Sequence, residues 1–151
     1  MKEFEDKFSE FQSDMISICL EYVEDRAEKV YVYASCEEGV ISSRFFYLIN
    51  NKYLECHKVN DAVEKGEYEY DVSPERMLAV MRIINEDIEE IKALCNEHER
   101  EMPTEMKLIY DVNNGNFKAQ YKYDLVYTNH ETKTAGQIAD EWFEEIRSNN
   151  I

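Results

Sequence analysis

Three kinds of residue in this 151-residue chain could do chemistry, and their spacing argues against most of it. His98-Glu99-Arg100-Glu101-Met102 and His130-Glu131-Thr132-Lys133-Thr134 each begin like the zinc motif H-E-x-x-H. That motif needs two imidazoles one helical turn apart, and neither stretch has the second histidine. Asp111-Val112-Asn113-Asn114-Gly115 begins like a calcium loop. Its glycine falls one position early, and the twelfth position holds Lys122 instead of the bidentate glutamate, so an Asn-Gly hairpin explains it better. The cysteines Cys19, Cys36, Cys56 and Cys95 form no C-x-x-C pair, and Cys19 and Cys95 fall on apolar helix faces. They read as reduced, mostly buried thiols of a cytoplasmic protein; a catalytic cysteine with a distant His would need a pattern the chain lacks. No P-loop, G-x-G-x-x-G or G-x-S-x-G occurs, and there are only 4 glycines. No catalytic, cofactor-binding or metal-ligating residue is assigned.

What remains is charge. The chain has 33 Asp and Glu against 17 Lys and Arg, a formal net charge of −16. Yet 44% of its residues are hydrophobic, with 11 Tyr, 7 Phe and 1 Trp, a content that disordered acidic tails lack. This composition implies a folded domain with an acidic surface, which repels nucleic acid and anionic lipid and attracts basic proteins. The plainer alternative is that the charge only keeps the protein soluble. Pairs such as Glu89-Glu90 and Glu144-Glu145 read as solvated helix faces rather than catalytic carboxylates. The segment Asn60–Asp71 sets Asp61, Glu64, Glu67, Glu69 and Asp71 beside Tyr68 and Tyr70, a pattern that suits an aromatic anchor inside a polar rim. Its structural alternative is a loop leading into a helix, with the tyrosines capping the core. A second acidic group, Asp140, Glu141 and Glu144, surrounds Trp142, which reads as core before hot spot. Glu86, Asp87, Glu89, Glu90, Glu97, Glu99 and Glu101 make a third acidic face.

The elements that must position these groups follow from periodicity. Phe4, Phe8, Phe11, Met15, Ile18 and Tyr22 recur in steps of four and three, predicting an amphipathic helix over residues 3–25. Lys29–Cys36 alternates Val30, Val32 and Ala34 against Tyr31, Tyr33 and Ser35, predicting a strand. Glu37-Glu38-Gly39 and Asn50-Asn51 are turn signals around a second strand at 40–50, and Lys52–Lys58 is the third. An acidic loop at 59–72 leads to Ser73-Pro74-Glu75, an N-cap followed by a first-turn proline and acid. Met77, Met81, Ile84, Ile88, Ile91 and Cys95 then predict a helix to about His98, its Met stripe facing core. Glu105–Val112 and Phe117–Asp124 are strands joined by Asn113-Asn114-Gly115-Asn116, the second with Phe117, Ala119, Tyr121 and Tyr123 on one face. Thr134 and Gln137 have capping-box spacing before a last helix bearing Ile138, Trp142 and Ile146. The order α-β-β-β-α-β-β-α predicts one α+β domain over 1–151, an antiparallel meander sheet packed by amphipathic helices. No apolar run is long enough to span a membrane, and the charged start is no signal peptide.

Several stretches in order are familiar: Glu28-Lys29-Val30-Tyr31-Val32-Tyr33-Ala34, Glu38-Gly39, Phe45-Phe46-Tyr47, Tyr70-Asp71-Val72-Ser73, Leu108-Ile109-Tyr110-Asp111, Gly115-Asn116-Phe117-Lys118 and Tyr121-Lys122-Tyr123-Asp124. Together with the acidic helix around Trp142 they span almost the whole chain, which resembles the YezG-like immunity proteins. Pro103-Thr104-Glu105 stands where members often carry a Trp, and the Phe4, Phe8, Phe11 edge matches no family motif. The resemblance implies an α+β fold and a cytoplasmic antitoxin that binds a secreted nuclease toxin of a polymorphic or type VII system, with no chemistry or cofactor of its own. Glu64, Glu67, Tyr68, Glu69 and Asp71, with Asp140, Glu141 and Glu144, are the expected toxin contacts. Direct nucleic-acid binding is not expected, and the oligomeric state stays open. Two alternatives stand beside this. One is a small-molecule site or enzyme on the sheet face of Tyr121 and Tyr123; the other is a toxin-secretion chaperone.

Overall fold

A computed structural model describes residues 2–128 and 133–151, so the stretch His130–Thr132 lies outside the described residues. Helix α1 (Lys2–Tyr22) is followed by strands β1 (Lys29–Glu37), β2 (Val40–Ile49) and β3 (Lys52–Glu55). A short 3-10 helix (Cys56–Ala62) and a loop lead to α2 (Pro74–Glu97). Strands β4 (Glu105–Asp111) and β5 (Phe117–Lys122) precede α3 (Ala135–Asn149). The sheet is antiparallel throughout, in the order β3-β2-β1-β4-β5. The meander therefore holds only for the first three strands. After α2 the chain returns to the open side of β1, placing that strand at the centre.

The central position of β1 explains its composition. Its two alternating sets are both buried, because helices cover both faces. Val30, Val32 and Ala34 join the main core with Met15, Cys19, Tyr22, Ile84, Ile88 and Ile91 of α1 and α2. Tyr31 and Tyr33 join a smaller core with Phe46 and with Ala139, Trp142 and Ile146 of α3. Trp142 is thus core, its ring 5.1 Å from Phe46 and 6.2 Å from Tyr31. The capping box is formed as its spacing predicts: the Thr134 N–H donates to Gln137 Oε1 at 2.9 Å, and the Gln137 N–H donates to Thr134 Oγ1 at 3.3 Å.

Both early turns are two-residue hairpins with left-handed backbone at each central residue. Glu38 and Gly39 have φ of 50° and 82°, and Asn50 and Asn51 have 49° and 65°. The Asn113–Asn116 turn differs from its expectation, since only Gly115 takes positive φ, at 75°. Instead Asp111 Oδ1 accepts from the N–H groups of Asn113 (3.0 Å) and Asn114 (3.3 Å), an Asx-type closure of a longer loop. A second correction concerns the third strand, expected to reach Lys58. It stops at Glu55, because Cys56, Val59 and Ala62 turn inward on a 3-10 helix to bury apolar side chains that a straight edge strand would leave in water.

Candidate functional site

The Asn60–Asp71 loop is pinned at several points. Asn60 grips Tyr70 through both backbone groups: the Tyr70 N–H donates to Asn60 Oδ1 (2.7 Å), and Asn60 Nδ2 donates to the Tyr70 carbonyl (3.1 Å). Glu67 Oε1 accepts from the Glu64 N–H (2.7 Å) and from Asn50 Nδ2 (3.1 Å), tying the loop to the β2–β3 turn. Arg26 lies over the Tyr70 ring at 4.1 Å and donates to the Tyr68 carbonyl at 2.9 Å. The two tyrosines, alike in sequence, have opposite fates. Tyr70 is buried in the main core, whereas Tyr68 is 85% exposed. Asp61, Glu64, Glu67, Glu69 and Asp71 are all exposed around it. The Ser73 N–H, at 3.0 Å, holds the Asp71 carboxyl below its ordinary value and keeps it charged. Nothing in composition marks Arg26, Asn50 and Asn60 as the loop's supports; Arg26 and Asn50 act from earlier in the chain and Asn60 from the 3-10 helix at the loop's own start.

The second acidic group lies on α3 and is partly neutralised. Asp140 pairs with Arg44 at 3.1 Å, Glu141 with Lys133 at 2.9 Å, and Glu144 with Arg147. These are exposed pairs, which contribute little to stability. Of the loop acids, Glu67 engages Asn50 and the Glu64 N–H and Asp71 the Ser73 N–H, while of the α3 acids Asp140 alone pairs with Arg44 of β2.

Between Arg44 and α2 lies a groove of about 380 Å³. Phe46, Met77, Leu78, Met81 and Phe143 give it apolar walls, and Glu55 and Asp140 stand at its rim. The methionines that periodicity assigns to core are half-buried and line this groove as well as the core edge. Another cavity, of about 440 Å³, is lined by Phe4, Phe8, Tyr121 and Tyr123 with Arg100 and Glu101. Its volume meets the requirement for a small-molecule site. Two of its polar groups are already engaged: Gln12 Nε2 donates to the Tyr121 hydroxyl at 2.8 Å, and Arg100 lies 4.1 Å from the Phe4 ring in the same lining.

Buried ionisable groups are the other candidates for chemistry. Burial pushes all four thiols above their ordinary value, Cys56 to about 11, which suppresses the thiolate a nucleophile needs. No group of three or more His, Cys, Asp or Glu among the described residues could hold a metal ion. Glu37, which the sequence marks only as a turn residue, is buried and accepts from Val126, Tyr127 and Thr128. Asp87, placed on the acidic face by its sequence, is instead 7% exposed on α2. Burial, a hydrogen bond with Asp14, and the charges of Asp14, Glu86 and Glu90 raise its carboxyl to about 8. The folded protein therefore keeps a proton near neutrality that the unfolded chain releases near pH 4, so stability falls as pH rises across that window. Asp87→Asn is expected to raise stability by about 1–3 kcal/mol at pH 7.5. Urea titrations should show that gain shrinking toward zero at pH 4.

No curated protein matches the chain. Residues 7–145 match the family described as "Immunity protein YezG-like".

Proposed function

We propose that this chain, which belongs to the YezG-like immunity protein family, neutralises its toxin partner by laying an acidic surface over a basic active-site cleft, the toxin being a nuclease. Family membership supports the immunity role and implies a toxin partner. The finer reading rests on one observation: Tyr68 stands 85% exposed on a loop fastened by Asn60, Glu67 and Arg26, with the exposed acids Glu64, Glu67, Glu69 and Asp71 adjacent in the chain. A fastened loop has lost its conformational freedom before binding, so less is lost in the complex. An aromatic anchor within a charged rim is a common form of hot spot. A nuclease that grips a polyanion has a positive cleft, and a net charge of −16 speeds capture by such a partner. Capture would take place in the cytoplasm, before export. No helix among the described residues is long and apolar enough to cross a membrane.

The test uses the cognate toxin domain, sought first in the neighbouring reading frame. Glu67 is left intact because it holds the loop closed. Glu64→Lys with Glu69→Lys is expected to weaken binding about tenfold or more at low salt and far less at high salt. Tyr68→Ala should weaken binding at both. Unchanged affinity for all variants at either salt removes this loop from the interface. A cleavage assay with stoichiometric protein separates inhibitor from chaperone, because a chaperone alone leaves cleavage intact.

A further inference from the structure

We propose that an extended, basic segment of the toxin domain adds to the sheet as a strand along β2, seated in the groove between α2 and α3. The inference rests on the toxin-binding reading above and specifies how part of the partner is held.

Strand β3 pairs with β2 only at Phe46–Ile49, so Val40–Phe45 has no strand partner on the side away from β1 among the described residues. The Glu38-Gly39 turn makes Glu37 and Val40 a hydrogen-bonded pair. By alternation Ser42, Arg44, Phe46 and Leu48 also bond β1. Ile41, Ser43 and Phe45 therefore turn their N–H and C=O groups toward the open side. The other hairpin agrees, since a two-residue turn at Asn50-Asn51 makes Ile49 and Lys52 a bonded pair and gives Ile49 the same outward parity. Phe45 is 2% exposed and lines the groove, so its outward N–H and C=O lie on the groove floor, where an unmade backbone hydrogen bond is costly, and Ser43 and Ile41 continue the same open edge beyond the groove's lining.

The opposite edge of the sheet is treated differently. Strand β5 also has an open side, but it carries Lys118 and Lys122, the charged safeguard that natural sheets place on edges to discourage pairing. The open half of β2 carries no lysine, and its one cation, Arg44, is tied to Asp140. Apolar walls at Met77, Leu78 and Phe143 would receive alternate side chains of an incoming strand. Charge selects the occupant. A second copy of this chain would bring −16 against −16, whereas the overall negative charge, with Glu55 in the groove lining and Asp140 already balancing Arg44, favours lysines or arginines flanking apolar positions.

The experiment pairs calorimetry with amide hydrogen exchange, using the full chain and the cognate toxin domain. Leu78, at the groove mouth, is 60% exposed, so Leu78→Arg should fold normally. It is expected to bind the toxin domain about 30-fold more weakly. Phe117→Arg, on the lysine-bearing edge, should bind within about twofold of the wild type. In the wild-type complex the Ile41, Ser43 and Phe45 amides should exchange at least about tenfold more slowly than in the free protein. Tight binding by Leu78→Arg, or unchanged exchange at those three amides, overturns strand addition while leaving toxin neutralisation standing. Absence of wild-type binding overturns both.

Discussion

Trp142→Ala is expected to destabilise the protein by about 3–5 kcal/mol, a large part of the stability of a domain this size. Trp142 is the largest buried side chain by which α3 holds the sheet, with the half-buried Phe143 packing on Phe46 beside it at 5.0 Å. Its ring meets Tyr31 and Phe46 edge-on at 6.2 and 5.1 Å, and the tilted Tyr33 ring at 6.2 Å. The other fully buried side chains of α3 are smaller: Ala135, Ala139 and Ile146. The main core lies on the opposite face of the sheet and cannot close over the space left behind. Thermal and urea melts followed by circular dichroism provide the measurement, since the variant removes the only tryptophan. A melting temperature lower by about 10 °C or more is expected. If Trp142 acted instead as a binding anchor, the melt would hold and toxin affinity would fall.

The same residue shows what the sequence makes legible. Trp142 and Ile146 step by four on a helix opened by a Thr134–Gln137 box, so helix, face and cap could all be read from local spacing. The Val/Tyr alternation of β1 was equally plain, and so were the Ser73-Pro74 start and Met/Ile stripe of α2. Local rules fail where burial is decided by distant chain. Lys52–Lys58 reads as strand, but its C-terminal half is drawn inward by the core below it. Tyr68 and Tyr70 are equivalent by composition, and distant groups tell them apart: Asn60, ten residues before Tyr70, grips its backbone, and Arg26 lies over its ring. Asp87 sits among exposed acids in the sequence, yet the packing of α1 on α2 buries it. The groove beside β2 has no sequence signature, since it arises because β3 ends early while α2 and α3 flank the unpaired half of its neighbour.

Glu37 is the most consequential residue that local rules miss, and its replacement is the second large effect. Beside a hairpin turn it reads as solvent-facing, but it is 1% exposed on the α3 face of the sheet. Its carboxylate accepts from the N–H groups of Val126 (2.9 Å), Tyr127 (3.3 Å) and Thr128 (3.1 Å) and from the Thr128 hydroxyl (2.6 Å). Burial by itself would raise this carboxyl. The Thr128 hydroxyl and the three backbone donors outweigh it and lower the group below its ordinary value. A folded-state value below the unfolded one means stability present at neutral pH and lost as pH falls through the folded carboxyl's range. Glu37→Gln keeps the shape but removes the charge and turns an amide N–H₂ toward backbone N–H groups that can only donate, leaving the Thr128 hydroxyl as the one group able to accept from it. The expected loss is about 3 kcal/mol at pH 7, since several charge-assisted bonds fail together. Urea titrations across the acid range should show the wild-type and variant curves converging as the wild-type carboxyl takes up its proton. A gap that stays constant with pH would mean the loss came from packing, not charge. Exchange at the Val126, Tyr127 and Thr128 amides gives an independent reading, because Glu37→Gln should release all of them while β1 and β4 remain protected.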